Sequence, residues 1–393
     1  MKKTLVALAA VSAVSAFAQS TVTLSGNLDF AGARVTGSAA VSNGTTFSTT
    51  VGTASTSVIN LDAVEDLGAG LVVKAHYGLD PRSLSNDAMT LTVQGNGLAT
   101  TTAVNAQNTS NTLTGLNRDE LYVGLASTST GEIRLGSPNS IGLNVFQAAS
   151  PLGTGVGSGY SPNTGKGMNS VVQTRYNRSV RYDSPAISGV TVSLVYAPGN
   201  DIAADTTVSS ANQFNASYIP NARKATEFGL KYANGPLNLA VVSITQGTAN
   251  YPTGYYANAA GVVAAAATSA TVFGANYTMG STTVYAGYNT GNALASNTDG
   301  TTINSKGYRY AVKQTVGQVD LIAQYQYQQQ AGNTSAANDV KNQVTGARAD
   351  YNFSKTAAAY FGYEKWNTGL AANDNSTSKG DRTIVSIGLK KQF

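Results

Sequence analysis

The chain contains no cysteine and a single histidine, His76. The first absence removes disulfides, thiol chemistry and cysteine-built metal sites. The second removes histidine-rich metal centres and leaves any catalytic triad a single candidate histidine. Charged residues make up only 11% of the sequence, far below the usual quarter. A formal net charge of +5 spread along 393 residues is no nucleic-acid footprint, which needs a clustered basic face. Past the N-terminus no apolar run approaches the roughly 20 residues of a spanning helix. No linker or compositional break divides the chain, and no glycine loop on a strand-to-helix turn suggests phosphate binding.

What is present begins with "MKKTLVALAAVSAVSAFAQS". Lys2 and Lys3 precede an uncharged stretch from Leu5 to Val14, and Ala16-Phe17-Ala18 follows. A basic start, a short apolar centre and an A-x-A site are the parts of a secretory signal peptide. The expected division is a cleaved signal over 1–18 and one domain over 19–393, exported from the cytoplasm.

The exported part repeats a hairpin. In "ATEFGLKYANGPLNLAVVSI" (225–244), Thr226, Phe228, Leu230 and Tyr232 share one parity, and Glu227, Gly229 and Lys231 the other. Asn234-Gly235-Pro236 turns the chain before Leu237, Leu239 and Val241 resume the apolar parity. The pattern recurs at 121–136, 271–288, 308–327 and 347–366, and the chain closes on "TIVSIGLKKQF" with Val385, Ile387 and Leu389 on one side. Longer polar stretches, such as 33–55, 81–115 and 367–381, lie between the hairpins. This periodicity predicts sixteen strands, near 20–32, 56–66, 70–80, 116–126, 131–137, 171–184, 189–198, 224–233, 237–246, 269–278, 281–290, 305–315, 318–328, 342–353, 356–366 and 382–393.

Many alternating strands build either a soluble β-sandwich with a dry core or an outer-membrane barrel with its apolar face turned to lipid. Three features favour the barrel. Lys231, Arg309 and Arg348 sit mid-strand on the polar parity, as a wet interior allows. Tyr232, Tyr277, Phe353, Tyr363 and Phe393 cluster at the ends of the apolar parity, where amphipathic rings prefer headgroups. Short turns alternate with long loops, giving the strands two distinct ends. The expected fold is all-β: a transmembrane antiparallel barrel of about sixteen strands, with short periplasmic turns and long outer loops. An even count lets the first strand pair with the last, which makes the terminal stretch the closing stave.

Several segments in order resemble the Gram-negative general porins, particularly the β-proteobacterial type. "AQSTVTLSGNLDFAG" (18–32) is similar to the family's opening strand and "VEDLGAGL" (64–71) to its first periplasmic turn. "NRDELYVGL" with "GEIRLG" (117–136) resembles the fourth and fifth strands, and "SVRYDSPAISGVTVSLVYAPG" (179–199) a later hairpin. The resemblance covers essentially the whole chain. It implies a homotrimeric, water-filled diffusion channel for ions and small hydrophilic solutes, set among outer-membrane lipids, without a metal or other cofactor. It also implies that the terminal aromatic, here Phe393, is read by the outer-membrane assembly machinery. The family's third long loop folds into the lumen, and by position that loop is about 138–170.

This chain departs from the family pattern at the constriction. No Asp or Glu occurs between Glu132 and Asp183, although the family's inward loop commonly carries carboxylates. Val58, Asn60 and Asp62 stand where arginines are typical, and Ser137-Pro138 follows "RLG". Lumen parity still offers Lys74, Arg134, Arg175, Arg181, Lys231, Arg309 and Arg348, with Lys166 inside the loop. Asp29, Asp62 and Glu227 lie on the same parity and temper the balance. The expectation is weak anion selectivity, because positive potential at a narrow point concentrates anions. Three alternatives stand beside it: a selective anion channel with a saturable site, an outer-membrane barrel enzyme using His76 near Asp80, and an adhesin acting through its loops.

Overall fold

Val385, Ile387 and Leu389 are exposed while their neighbours Ile384, Ser386 and Gly388 are buried. The same inversion runs along the first strand, where Val22 and Leu24 are 68% and 63% exposed and Asp29 is 1% exposed. Apolar side chains face out and polar ones face in, the arrangement of a barrel solvated by hydrocarbon.

The computed structural model describes residues 20–37, 44–48, 51–79, 81, 118–160, 172–198, 224–247, 249–251, 263–265, 268–292, 303–332, 340–370 and 381–393. The signal expected over 1–18 lies outside them, as do Asp80 and Lys166. In chain order the elements are β1 (Thr21–Gly37), β2 (Gly44–Ser48), β3 (Val58–Gly68), β4 (Leu71–Leu79), β5 (Arg118–Ser127) and β6 (Gly131–Ser137). After a helix α1 (Ile141–Ala148) come β7 (Ser179–Asp183), β8 (Val190–Ala197), β9 (Ala225–Asn234), β10 (Leu237–Gln246), β11 (Ala249–Tyr251) and β12 (Val263–Ala265). The rest are β13 (Thr268–Met279), β14 (Thr282–Asn292), β15 (Ile303–Val316), β16 (Val319–Gly332), β17 (Val340–Ser354), β18 (Ala357–Leu370) and β19 (Arg382–Gln392).

The main sheet has 17 strands, and β11 pairs with β12 in a separate ribbon. Sixteen staves form the closed cylinder, each antiparallel to the next, and β2 is the additional strand. Closure runs through β1, which is shared between three partners. Asn27–Gly37 pairs with β19 in the register Asn27↔Gln392 to Gly37↔Arg382. On its other edge, residues 21–27 pair with β3 and residues 31–35 with β2. Phe393 extends the seam: Gly26 N donates to its carbonyl at 2.9 Å and its own N–H donates to Gly26 O at 3.1 Å. Closure leaves no strand edge facing lipid, where an unpaired backbone group costs several kcal/mol.

Tight turns collect at one end. The two-residue connections at Gly235 (φ 53°) and Gly317 (φ 60°) use left-handed glycines, whose twist matches that of the hairpin strands. Outward Tyr277, Tyr351 and Phe353 lie near this end, and outward Tyr288, Tyr308, Tyr310, Tyr325 and Tyr327 gather toward the other. Tyr308 stacks on Tyr327 with ring centroids 5.1 Å apart. These are the two aromatic girdles of a membrane barrel.

Two expectations need correcting. The polar stretch 33–55 supplies the outer half of β1 and all of β2. The strand expected over 171–184 is only Ser179–Asp183. The alternating Val172 and Tyr176 ahead of it bury against α1 instead of taking a place in the wall.

Ile387 is 68% exposed on the outward face of β19. Ile387→Lys should lower stability by about 2–4 kcal/mol if the site lies near mid-bilayer. Urea titration in phospholipid vesicles measures this, and an unchanged midpoint would contradict an outward, lipid-facing position.

Candidate functional site

The interior is organised by the segment between β6 and β7. Ser140 caps α1, its Oγ accepting from Leu143 N at 2.9 Å and donating to Gln173 O. From α1, Ile141, Leu143, Val145 and Phe146 are buried with Val195 and Ala197 of β8, Ala225 of β9, Val242 and Ile244 of β10, and Ala270 and Val272 of β13. The barrel therefore holds an oily seat on its inner wall, and each fully buried side chain of this size contributes about 1.5–3 kcal/mol. Two wall glycines let the segment's backbone touch the staves. A Cβ on Gly274 would stand 2.3 Å from Val145 O, and one on Gly346 would stand 1.9 Å from Gly157 O.

Polar anchors fix the segment at both ends. Glu227, fully buried on β9, accepts from Ile141 N (2.6 Å), Gly142 N (3.2 Å) and the Tyr176 hydroxyl (3.1 Å). A carboxylate here satisfies free N–H groups of the helix N-terminus and complements its dipole. Further along, Glu364 of β18 accepts from Gly157 N at 2.9 Å and Gly159 N at 3.3 Å. Gln324 of β16 donates to Ser158 O (2.7 Å) and accepts from Ser150 Oγ (2.6 Å). Arg309 of β15 is fully buried, with its guanidinium 3.8 Å from the Phe146 ring centroid and its nitrogens donating to Ser158 O and Gln326 Oε1.

A second inward piece, residues 51–57, meets the tip of the first. Val156 N donates to Thr53 O at 2.7 Å. Arg348 pairs with Asp350 at 2.7 and 3.0 Å and donates to Ala54 O at 2.9 Å. Asp29 of β1 accepts from Ser55 N (2.8 Å), Ser55 Oγ (2.9 Å) and the Tyr360 hydroxyl. Together the two pieces line the inner wall from β8 round to β1.

The opposite wall, β3 to β7, carries a belt of alternating charge. Lys74 lies 3.4 Å from Glu132, and Arg134 lies 3.0 Å from Glu132 and 3.7 Å from Asp183. Arg181 forms two contacts with Asp183 (2.8 and 3.0 Å) and donates to Asn139 O and Asn144 Oδ1, both at 2.7 Å. Arg175 pairs with Asp119. Asp62 and His76 meet at 2.7 Å, and His76 stacks on Tyr122. Lys231, inward on β9, is exposed and makes no ion pair among the described residues.

Lumen parity thus separates into two groups. Lys74, Arg134, Asp62 and Lys231 border open space, whereas Asp29, Glu227, Arg309 and Arg348 point inward but lie beneath the covering segments. Arg175 sits on the segment's return limb, bridged to Asn139, and not on a stave. Phe393 occupies the barrel seam with its ring against Gly26. The apolar seat was missed from the sequence, although Val242, Ile244 and Val272 on lumen parity were its signal. A wholly wet interior would not place them there.

A closed barrel with an apolar exterior, a charged interior and a segment folded across its lumen is an outer-membrane protein of the porin architecture. The sequence profile of Gram-negative porins matches residues 4–369, and the chain belongs to that family. It is an outer-membrane protein. An outer membrane porin protein of Bordetella pertussis is 34% identical over 120 residues, 30% of this chain and 29% of that relative's length. Among solved structures, an anion-selective porin from Comamonas acidovorans superposes with TM-score 0.66 at 19% identity, covering 95% of this chain and 100% of its own. OmpT of Vibrio cholerae, folded in vitro, gives 0.62 at 15% identity, covering 95% and 98%. At these identities the structures establish the fold alone.

Glu227→Ala leaves two helix N–H groups and the Tyr176 hydroxyl without their acceptor, a cost of about 1–3 kcal/mol for each group left unpaired in a buried setting. The barrel should still form. Trypsin should cut faster at Lys166, Arg175 or Arg178, as read by mass spectrometry of the folded protein in detergent.

Proposed function

We propose that this porin is a water-filled channel for passive diffusion of ions and small hydrophilic solutes, with weak anion selectivity. The observation that carries the reading is the inverted barrel, whose outward parity is apolar and whose interior is charged. Sixteen staves enclose more space than side chains fill, and the inward segments narrow it. Family membership favours a channel over a barrel enzyme or an adhesin.

The selectivity argument rests on charge placement. The segment between β6 and β7 carries Lys166, Arg178 and Arg175, the last paired with Asp119, and no carboxylate. Carboxylates of the facing belt, Glu132 and Asp183, are already engaged by Lys74, Arg134 and Arg181. Lys231 adds an exposed cation with no ion pair among the described residues. A modest positive potential follows, which favours anions and weakens as salt rises. The fold shared with an anion-selective porin is consistent with this. A selective anion channel would differ by a saturable site, visible as solute-dependent block.

Assembly as a homotrimer, recognition of Phe393 by the assembly machinery and removal of residues 1–18 complete the proposal. A trimer form of OmpT from Vibrio cholerae supports the first.

Planar-bilayer recording tests the reading. Wild-type protein should give stepwise conductance with a reversal potential favouring chloride over potassium. Lys231→Glu should move the permeability ratio toward cations by roughly twofold to threefold at low salt, the effect of reversing one lumen charge. A native preference for cations would rule out the anionic assignment.

A further inference from the structure

His76 is the chain's only histidine, and the channel function as described gives it no role. Its place in the wall is specific. On inward-facing β4 it is the direct register partner of Asp62 on β3 and of Tyr122 on β5. Nδ1 lies 2.7 Å from Asp62 Oδ1. The imidazole stacks on Tyr122, with centroids 5.2 Å apart and planes inclined by 15°. The Arg134 guanidinium lies 5.2 Å from the centroid of the same tyrosine ring. Imidazole, phenol and guanidinium therefore form one stack along the wall, with a carboxylate at its end.

The charges around this stack are unevenly satisfied. Lys74, two positions away on the same face of β4, is engaged by Glu132. Arg134 of β6 is shared between Glu132 and Asp183. Glu120 of β5, two positions from Tyr122, accepts from Asn139 N at 2.6 Å. Asp62 differs from Glu132 and Asp183, which arginines engage: among the described residues its one possible cationic partner is His76. Its side chain is also 37% exposed, against 16% for Glu132, so its charge is presented to the channel.

A ring nitrogen this close to a carboxylate oxygen must carry a proton, so neutral His76 holds its hydrogen on Nδ1 and donates it to Asp62. A second proton enters at Nε2. It leaves the hydrogen bond intact and turns the pair from an anion into a neutral ion pair. Imidazole is the one side chain whose ordinary titration falls between about pH 5 and 8. A cation stacked on an aromatic face is also favourably placed.

We propose that the Asp62–His76 pair is a selectivity-determining element that makes the channel's ion preference depend on pH. When His76 takes up the second proton, the wall at β3 and β4 loses one net negative charge and anions are favoured. With His76 neutral, Asp62 has no cationic partner among the described residues and the preference falls. The proposal rests on the channel reading of the preceding section.

The experiment is the reversal potential of purified protein in planar bilayers, in a potassium chloride gradient near 0.1 M, from pH 5 to 8. The anion-to-cation permeability ratio should rise about twofold to threefold on acidification, as expected for one charge a few ångströms from the ion path. His76→Gln should keep the unitary conductance and abolish the rise. Asp62→Asn should show high anion preference at pH 8 and retain a rise on acidification, because the histidine still gains its proton. A rise that persists in His76→Gln, or a wild-type ratio flat across the range, would overturn the proposal. Failure of wild-type protein to form channels would instead overturn the channel reading itself.

Discussion

Every backbone N–H and C=O that meets hydrocarbon has to find its partner within the sheet, and this constraint dictates the rest of the architecture. Alternating strands with an apolar outward parity satisfy it only when the sheet has no free edge. The seam at β1 shows how closure is met. One strand pairs along its length with β19, shares its other edge between β2 and β3, and is extended by the terminal Phe393 backbone. The outward apolar side chains that look misplaced by the standards of a soluble protein become the solvated surface. The charged parity then has nowhere to point but inward.

Closure creates an interior too wide to fill with side chains, and the chain narrows it with its own backbone. Three kinds of contact hold the inward segment. An apolar seat on β8 to β13 receives α1, glycines on β13 and β17 allow backbone to lie on backbone, and buried Glu227 and Glu364 accept from buried backbone amides of the segment. Arg309 completes the attachment in an uncommon way. It has no carboxylate partner among the described residues and is stabilised by carbonyls, Gln326 and the Phe146 ring. The segment is what keeps that cation from lumen water, so its burial is a cost that the segment's other contacts with the wall must offset. The facing wall is not covered in this way, and its charges are largely paired with one another.

Most strand positions, the direction of each face and the site of closure were legible in the sequence, because a period of two is a local signal that the membrane reinforces. Accessibility inside the barrel was not. Parity reports that Glu227 and Arg309 point inward, but it does not report that a helix from 80 or more residues away lies on them. The stretch around Val172 and Tyr176 alternates like a stave because it packs on one side of α1, so the same periodicity had a different cause. The paired apolar residues Val241 and Val242 were the clearest available hint. A stretch apolar on both parities in a barrel needs a second apolar partner, and here that partner is the helix.

The absence of native cysteine allows the central claim to be tested with single-cysteine variants in reconstituted vesicles. Ile387→Cys and Lys390→Cys lie three residues apart on opposite parities of β19. The account predicts that a fluorophore at 387 is quenched by brominated lipid chains, while the thiol at 390 reacts with a charged, membrane-impermeant reagent entering through the lumen. Quenching at 390 with reagent access at 387, or protection of both sites from lipid, would contradict it.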